Sequence, residues 1–322
     1  MKALIVLAVL LTGNPIGRSE VVWPDPPEPA RIRFLRSITP AALAGKPSFF
    51  SKVWGAIVGE RKQPFMVQPY GICLTRGVQL CVADTFGRAL HIYDLQKGDY
   101  RAVQVDGDSL IGVASLRDRL VATDSSAGRV ICLDAKGKRV WTVGKEAGLK
   151  RPTGIAADGD RLRVVDTLAN AVVTLSGDGA VLGRFGTRGR GPGQFNSPTN
   201  IAVGPDGNLY VCDSMNFRVQ IFDAAGVFVS QFGKPGDGSG DFSKPKGIAV
   251  DSDGNIYVVE GINDVVQIFD RAGRLLLFFG GSGTGEGELW LPTGIAIDQD
   301  KIYVSDSSNR RVQMFEYVKE GP

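Results

Sequence analysis

Six acidic residues close short apolar runs at nearly even intervals along this chain: Asp84, Asp124, Asp166, Asp213, Glu260 and Asp306. The intervals are 40, 42, 47, 47 and 46 residues, and an Asn or Arg follows each of them three to five positions later. Carboxylates followed at this spacing by an amide or guanidinium could read as a metal or catalytic set. A plainer chemistry competes with that. A carboxylate at a strand end accepts backbone N–H groups of the turn that follows and pairs with Arg, so that Asp213 with Arg218 would lock a loop, and the same device would recur along the chain. Loop locking is the expectation, with no catalytic residue and no metal ligand assigned.

The remaining reactive side chains narrow the chemistry. His91 is the single histidine, which removes H-E-x-x-H and multi-histidine metal sites. A Ser-His-Asp triad would have to use it, yet it falls at the position filled by Gln220, Gln267 and Gln313 further on, so a polar residue on a strand surface is expected. Cys73, Cys81, Cys132 and Cys212 form no C-x-x-C spacing. Cys73 and Cys81 flank the turn 75–77 and could face each other across a hairpin, as a disulfide or as two unpaired core residues. Gly-rich stretches at 189–195, 236–242 and 283–289 lack a following Gly-Lys-Ser/Thr, and their regular recurrence marks them as connections whose Phe195, Phe242 and Leu289 pack between repeats.

These residues need a scaffold that repeats. Pro198, Pro245 and Pro292 are 47 residues apart, each opening a Pro-x-x-Ile-Ala-Val/Ile segment, and shorter relatives begin at Pro152, Leu110 and Pro69. Two markers in one register give six units, each reading as four short strands, one propeller blade. In the fifth, strands are expected at Ile256 to Glu260, Val265 to Asp270 and Arg274 to Phe279. The last unit stops after its third strand at Tyr317, while an isolated strand-like segment, Arg31 to Ile38, precedes the first. Pairing that segment as the outer strand of the last blade would remove two open sheet edges. The 42 Gly and 17 Pro suit many tight turns, and 37 basic against 34 acidic residues leave no bulk field to draw the chain onto nucleic acid or a membrane.

With Pro-x-Gly-Ile-Ala-Val-Asp-x-x-Gly-Asn-Ile-Tyr-Val followed by the acidic residue, Asn and Val-Gln-Ile-Phe, the units resemble the NHL repeat. The resemblance is closest in units four to six, covers about residues 30–320, and implies an all-β fold: a six-bladed β-propeller of four-stranded NHL-type blades, closed by the N-terminal strand. Propellers of this kind include RNA binders, extracellular sensors and relatives of enzymes, so fold alone names no activity. Sugar-lactone hydrolase propellers use a calcium on the central axis held by carboxylates and amides; this sequence has no matching motif, and a hydrolase or lyase with an axial divalent metal stands as the alternative.

Two segments lie outside the repeat. Met1 and Lys2 followed by the apolar run Ala3 to Leu11 read as a signal peptide within 1–20; Asn14 stands where lipidation would need Cys. Cleavage between Gly13 and Glu20 is expected, a retained anchor being the alternative, with a Pro-rich linker over 21–29. Phe49, Phe50, Val53, Trp54, Ile57 and Val58 form one apolar helical stripe, so a short inserted helix is expected over about 48–59, either packing on a propeller face or docking onto a partner or membrane surface. Basic residues gather at Lys145, Lys150, Arg151, Arg184, Arg188 and Arg190; few aromatics interleave with them, which fits a solvated patch or an acidic partner better than RNA. The functional expectation is a non-enzymatic recognition or scaffold propeller of the periplasm or cell envelope, without cofactor, binding a protein or glycan through Phe86, Arg88, Asn200, Asn216, Phe217, Asn263, Asn309 and Arg310.

Overall fold

The second strand of each repeat reads as an unbroken apolar run because both of its faces are covered. In Ile256–Glu260, Ile256 and Val258 pack toward the preceding repeat while Tyr257 and Val259 pack toward the following one, the two-residue alternation of a strand. In the computed structural model, which describes residues 20–40, 65–75 and 79–319, this arrangement builds six antiparallel sheets around one axis. The expected export segment and the expected helix over 48–59 lie outside the described residues. Blades 1 to 5 span 69–104, 110–143, 152–185, 198–232 and 245–280, and blade 6 combines 292–317 with 32–38. Six apolar clusters, one at each junction between successive blades, divide the core.

The ring is closed as the sequence implies. Ile32–Ile38 lies antiparallel on Arg311–Tyr317, from Ile32 opposite Tyr317 to Ile38 opposite Val312. Ile32 is fully buried between blades 5 and 6, a contribution of about 1.5–3 kcal/mol for such a side chain. Within the stretch 21–29, two residues pair with the propeller. Val22–Trp23 adds a fifth strand to blade 6, and the Trp23 ring lies 5.9 Å from Phe279 and 5.8 Å from Phe315 between ring centroids. A two-residue strand is too short to show any periodicity, so its aromatic anchor carried no readable signal.

First strands pack side by side around the axis, each against its neighbours and the last against the first. Each carries a register irregularity after its opening residue. At the third position, a Cβ on Gly71, Gly112, Gly247 or Gly294 would collide with a main-chain carbonyl of the following blade. Glycine is required there by the closeness of the six strands. Blade 4 has Asn200 instead, its irregularity falling one residue earlier than in the other blades.

Candidate functional site: the axial funnel

The ends of the second strands and the starts of the first strands meet on one face, around a funnel of about 620 Å³ that narrows to a throat of about 50 Å³. The throat is formed by the third residues of the first strands, Asn200 among glycines. Above it, the second residues of the first strands are Tyr70, Ile111, Thr153, Thr199, Lys246 and Thr293, and the residues after the six carboxylates are Thr85, Ser125, Thr167, Ser214, Gly261 and Ser307.

Most of these hydroxyls tie blade to blade. Thr85 Oγ1 donates to the Leu110 carbonyl (2.7 Å), Thr153 Oγ1 to that of Thr199 (3.0 Å) and Thr167 Oγ1 to that of Pro198 (2.6 Å). Thr293 and Ser307 bond each other and reach the Pro69 carbonyl, which carries the same seam across the closure. A hydroxyl so engaged satisfies a buried carbonyl of its neighbour.

The carboxylates lie below this wall and are consumed by it. Fully buried Asp213 accepts hydrogen bonds from Arg218 Nε (2.9 Å), Asn216 Nδ2 (2.8 Å), Gln220 Nε2 (3.0 Å) and the Asn196 N–H (2.7 Å). Asp306 does the same with Arg311, Asn309, Gln313 and the Trp290 N–H. The simpler Asp166 holds the N–H groups of Lys150 and Arg151 and that of Ala169. Of the four or so lone-pair sites of a carboxylate, the bonds named here occupy most, and they tie these side chains to the loops of their own blades. No group of three or more metal-ligating side chains occurs among the described residues.

Glu260 is the exception in the set. One of its oxygens accepts from Ser243 and Lys244 N–H, and the other is buried without a partner among the described residues. Burial therefore holds its carboxyl above the ordinary range, against the two N–H bonds and nearby Lys246.

His91 is buried, not on a strand surface. Its Nε2 lies 3.1 Å from Asp84 Oδ2 and its Nδ1 2.8 Å from the Tyr100 hydroxyl. It stands in for the repeat's glutamine: Gln220 and Gln313 bond Asp213 and Asp306 from the same strand position. Burial alone would raise the Asp84 carboxyl, but the His91 hydrogen bond and the Gln68, Val67 and Gly87 N–H groups hold it below the usual range. Cys73 and Cys81 stand directly opposite each other as free thiols, the hydrogen bond between them and burial raising the Cys73 pKa.

The residues expected to bind divide into two groups. Phe86 is 70% exposed at the funnel rim, and Arg88 and Arg310 are exposed beside it, Arg88 3.5 Å from Asp108. Asn216 and Asn309, by contrast, spend their amides on the Gly189 and Gly283 carbonyls and on their own carboxylates. Asn263 reaches Ser243 Oγ at 3.5 Å, Phe217 packs against the core between blades 4 and 5, and Asn200 lies in the throat. Phe49, Phe50, Val53, Trp54, Ile57 and Val58 are outside the described residues.

Sequence reasoning found Phe86 but missed the rest of the rim. The second residue after each carboxylate is Phe86, Leu168, Met215 or Ile262 in blades 1, 3, 4 and 5, and these are 70%, 62%, 47% and 57% exposed. Trp290, at 50%, stands on the same face before blade 6. Reading that one column of the repeat would have found the set. The basic cluster is split by the fold. Lys150 and Arg151 line the funnel together with Lys244, whereas Arg184 donates to the Ala147 carbonyl on the outside of blades 2 and 3.

Residues 205–266 match a family described as a 6-bladed beta-propeller, and residues 289–315 match the NHL repeat. The human NHL repeat-containing protein 3 is 38% identical over 56 residues, which is 17% of this chain and 16% of that protein. Among solved structures, virginiamycin B lyase from Staphylococcus aureus superposes with a TM-score of 0.60 at 15% identity, over 78% of this chain and 96% of that one. A gluconolactonase from Xanthomonas campestris gives 0.63 at 20%, over 79% and 87%. An auxiliary nutrient binding protein from Bacteroides thetaiotaomicron gives 0.63 at 13%, over 80% and 71%. At these identities the likeness concerns the fold, and it spans enzymes and a binding protein alike.

Proposed function

This chain is a six-bladed β-propeller of the NHL-repeat family, and from that premise we propose that it is a non-enzymatic recognition module of the cell envelope that holds part of a partner protein across its funnel face. The observation that carries this reading is the rim. Four loop tips at equivalent positions each hold one large apolar side chain in water, Phe86, Leu168, Met215 and Ile262. Exposed apolar groups gathered around a concave site favour association. The ring carboxylates, the natural candidates for acid–base or metal chemistry, are hydrogen-bonded into the blades. Expectations of export and of a partner in the envelope come from the N-terminal sequence.

The test is capture of envelope proteins by the mature chain and by a Phe86→Ser/Leu168→Ser/Met215→Ser/Ile262→Ser variant of matched Tm. A defined partner retained by the first and lost by the second supports the reading. Equal recovery from both contradicts it, as would metal-dependent turnover of a lactone that funnel substitutions abolish.

A further inference from the structure

We propose that the funnel seats a carboxylate of a peptide segment, an acidic side chain flanked by apolar ones, between blades 3 and 5 and over blade 4. This rests on the recognition reading above and names the chemistry of what is recognised.

The cations of the funnel are placed in one sector. Lys150 and Arg151 precede the first strand of blade 3, Lys244 precedes that of blade 5, and Lys246 is the second residue of that strand. Blade 4 lies between them and contributes Ser197, Thr199 and Ser214 to the wall. The main chain of this sector is pinned: Asp166 holds the Lys150 and Arg151 N–H groups, and Glu260 holds that of Lys244. Their side chains are not. None of the four cations has a carboxylate within ion-pair distance among the described residues, although Arg129, Arg218 and Arg311 each pair with the carboxylate of their own blade. The funnel wall itself includes no acidic side chain. Arg151 and Tyr70 of blade 1 line the same funnel; burial raises the Tyr70 phenol pKa, and the Arg151 charge opposes that rise.

Blade 5 makes room for its part in this. Where blades 3, 4 and 6 have Thr167, Ser214 and Ser307, it has Gly261, and the far end of the Lys246 side chain occupies the space a Cβ there would need. That ammonium is partly withdrawn from water and stands near Lys244, both of which lower its pKa, while the charges of Asp264 and Glu260 act the other way. An arriving anion would further favour the charged ammonium. Clustered cations beside hydroxyl donors, in a concave site walled by protein, favour a carboxylate. The rim decides what carries it. Phe86, Leu168, Met215 and Ile262 offer aromatic, aliphatic and thioether surface, which suits apolar peptide side chains.

The experiment is fluorescence anisotropy with a labelled peptide alternating leucine and glutamate, its leucine–glutamine counterpart, and polygalacturonate as competitor. The acidic peptide is expected to bind about ten-fold more tightly than the amide peptide, an advantage that shrinks as salt rises. Arg151→Gln/Lys244→Gln, and separately Lys150→Gln/Lys246→Gln, are expected to abolish most of that preference at unchanged Tm. The rim variant is expected to weaken both peptides while preserving their ratio. Equal affinity for the two peptides, absence of binding by either, or a preference that survives both charge variants overturns the proposal. Polygalacturonate binding more tightly than the acidic peptide overturns it in favour of an acidic glycan. The recognition reading fails separately, if capture of the partner does not depend on the rim.

Discussion

Blades 4 to 6 and blades 1 to 3 share one strand plan but are joined by different means. Between blades 3 and 4, the connection 186–197 folds back as a parallel two-residue pairing, Thr187–Arg188 with Gln194–Phe195, and equivalent parallel bridges join Pro235 to Phe242 and Ser282 to Leu289. Each loop buries one apolar side chain completely: Phe195, Phe242 and Leu289. The first two complete aromatic triads with the outer strand of one blade and the third strand of the next, Phe185–Phe195–Phe222 and Phe232–Phe242–Phe269. A glutamine then reads the loop backbone. Gln267 accepts from the Gly240 N–H (2.7 Å) and donates to the Asp241 carbonyl (2.8 Å), and Gln220 does the same with Gly193 and Gln194. Blades 2 and 3 have Ile131 and Val173 at the glutamine position, both buried, and the short connection 105–109 contributes only Val105. Connections of both halves reach the core: in blades 4 to 6 through a bridged loop carrying a fully buried Phe or Leu, in blades 1 to 3 through Val105 and Leu149 on connections with no such bridge among the described residues.

The comparison can be broken first at the triads. Phe242→Ala is expected to destabilise the domain by about 3–5 kcal/mol, against about 2 kcal/mol for Val105→Ala, which removes two methyl groups; denaturant unfolding measures both. Equal losses would mean that the loops of the NHL-like half are not part of its core. A smaller effect is expected of Gln267→Ala, about 1–3 kcal/mol, because two backbone groups of the loop lose their partner. Amide exchange would show whether the opening is confined to 233–244.

The smallest effect concerns Glu260. Its folded pKa is raised, so the folded state binds the proton more tightly than the unfolded one. The stability this contributes is full below the ordinary glutamate pKa and is lost as pH rises through the folded value. Glu260→Gln is therefore expected to raise Tm at neutral pH and to leave it nearly unchanged at pH well below the glutamate range. A uniform shift at all pH values would remove the buried charge as its cause.

Much of this architecture was legible because it repeats. Proline, glycine and carboxylate markers kept one register over six units, and a blade lacking a strand beside a spare strand at the other end implied closure. The Gly-rich connections were readable as packing elements for the same reason. What could not be read was which polar atoms are spent. Asn216 and Phe86 both follow a carboxylate at a loop, yet one amide is tied to Gly189 and Asp213 while the phenyl ring stands in solvent. Composition does not distinguish the two; position in the turn does, Phe86 standing two residues after its carboxylate and Asn216 three. His91 was misplaced on a surface because a strand between two blades has no solvent face. The funnel cations went unassembled since Lys150 and Lys244 are 94 positions apart and meet only through the closed ring.

The claim that binding occurs on the funnel face is tested most directly by hydrogen–deuterium exchange of the mature chain with and without the leucine–glutamate peptide. Protection is expected in the loops 84–88, 166–170, 213–217 and 260–264 and in 149–151 and 243–246. Protection confined to the turns of the opposite face, 134–138, 176–180 and 223–227, would contradict it.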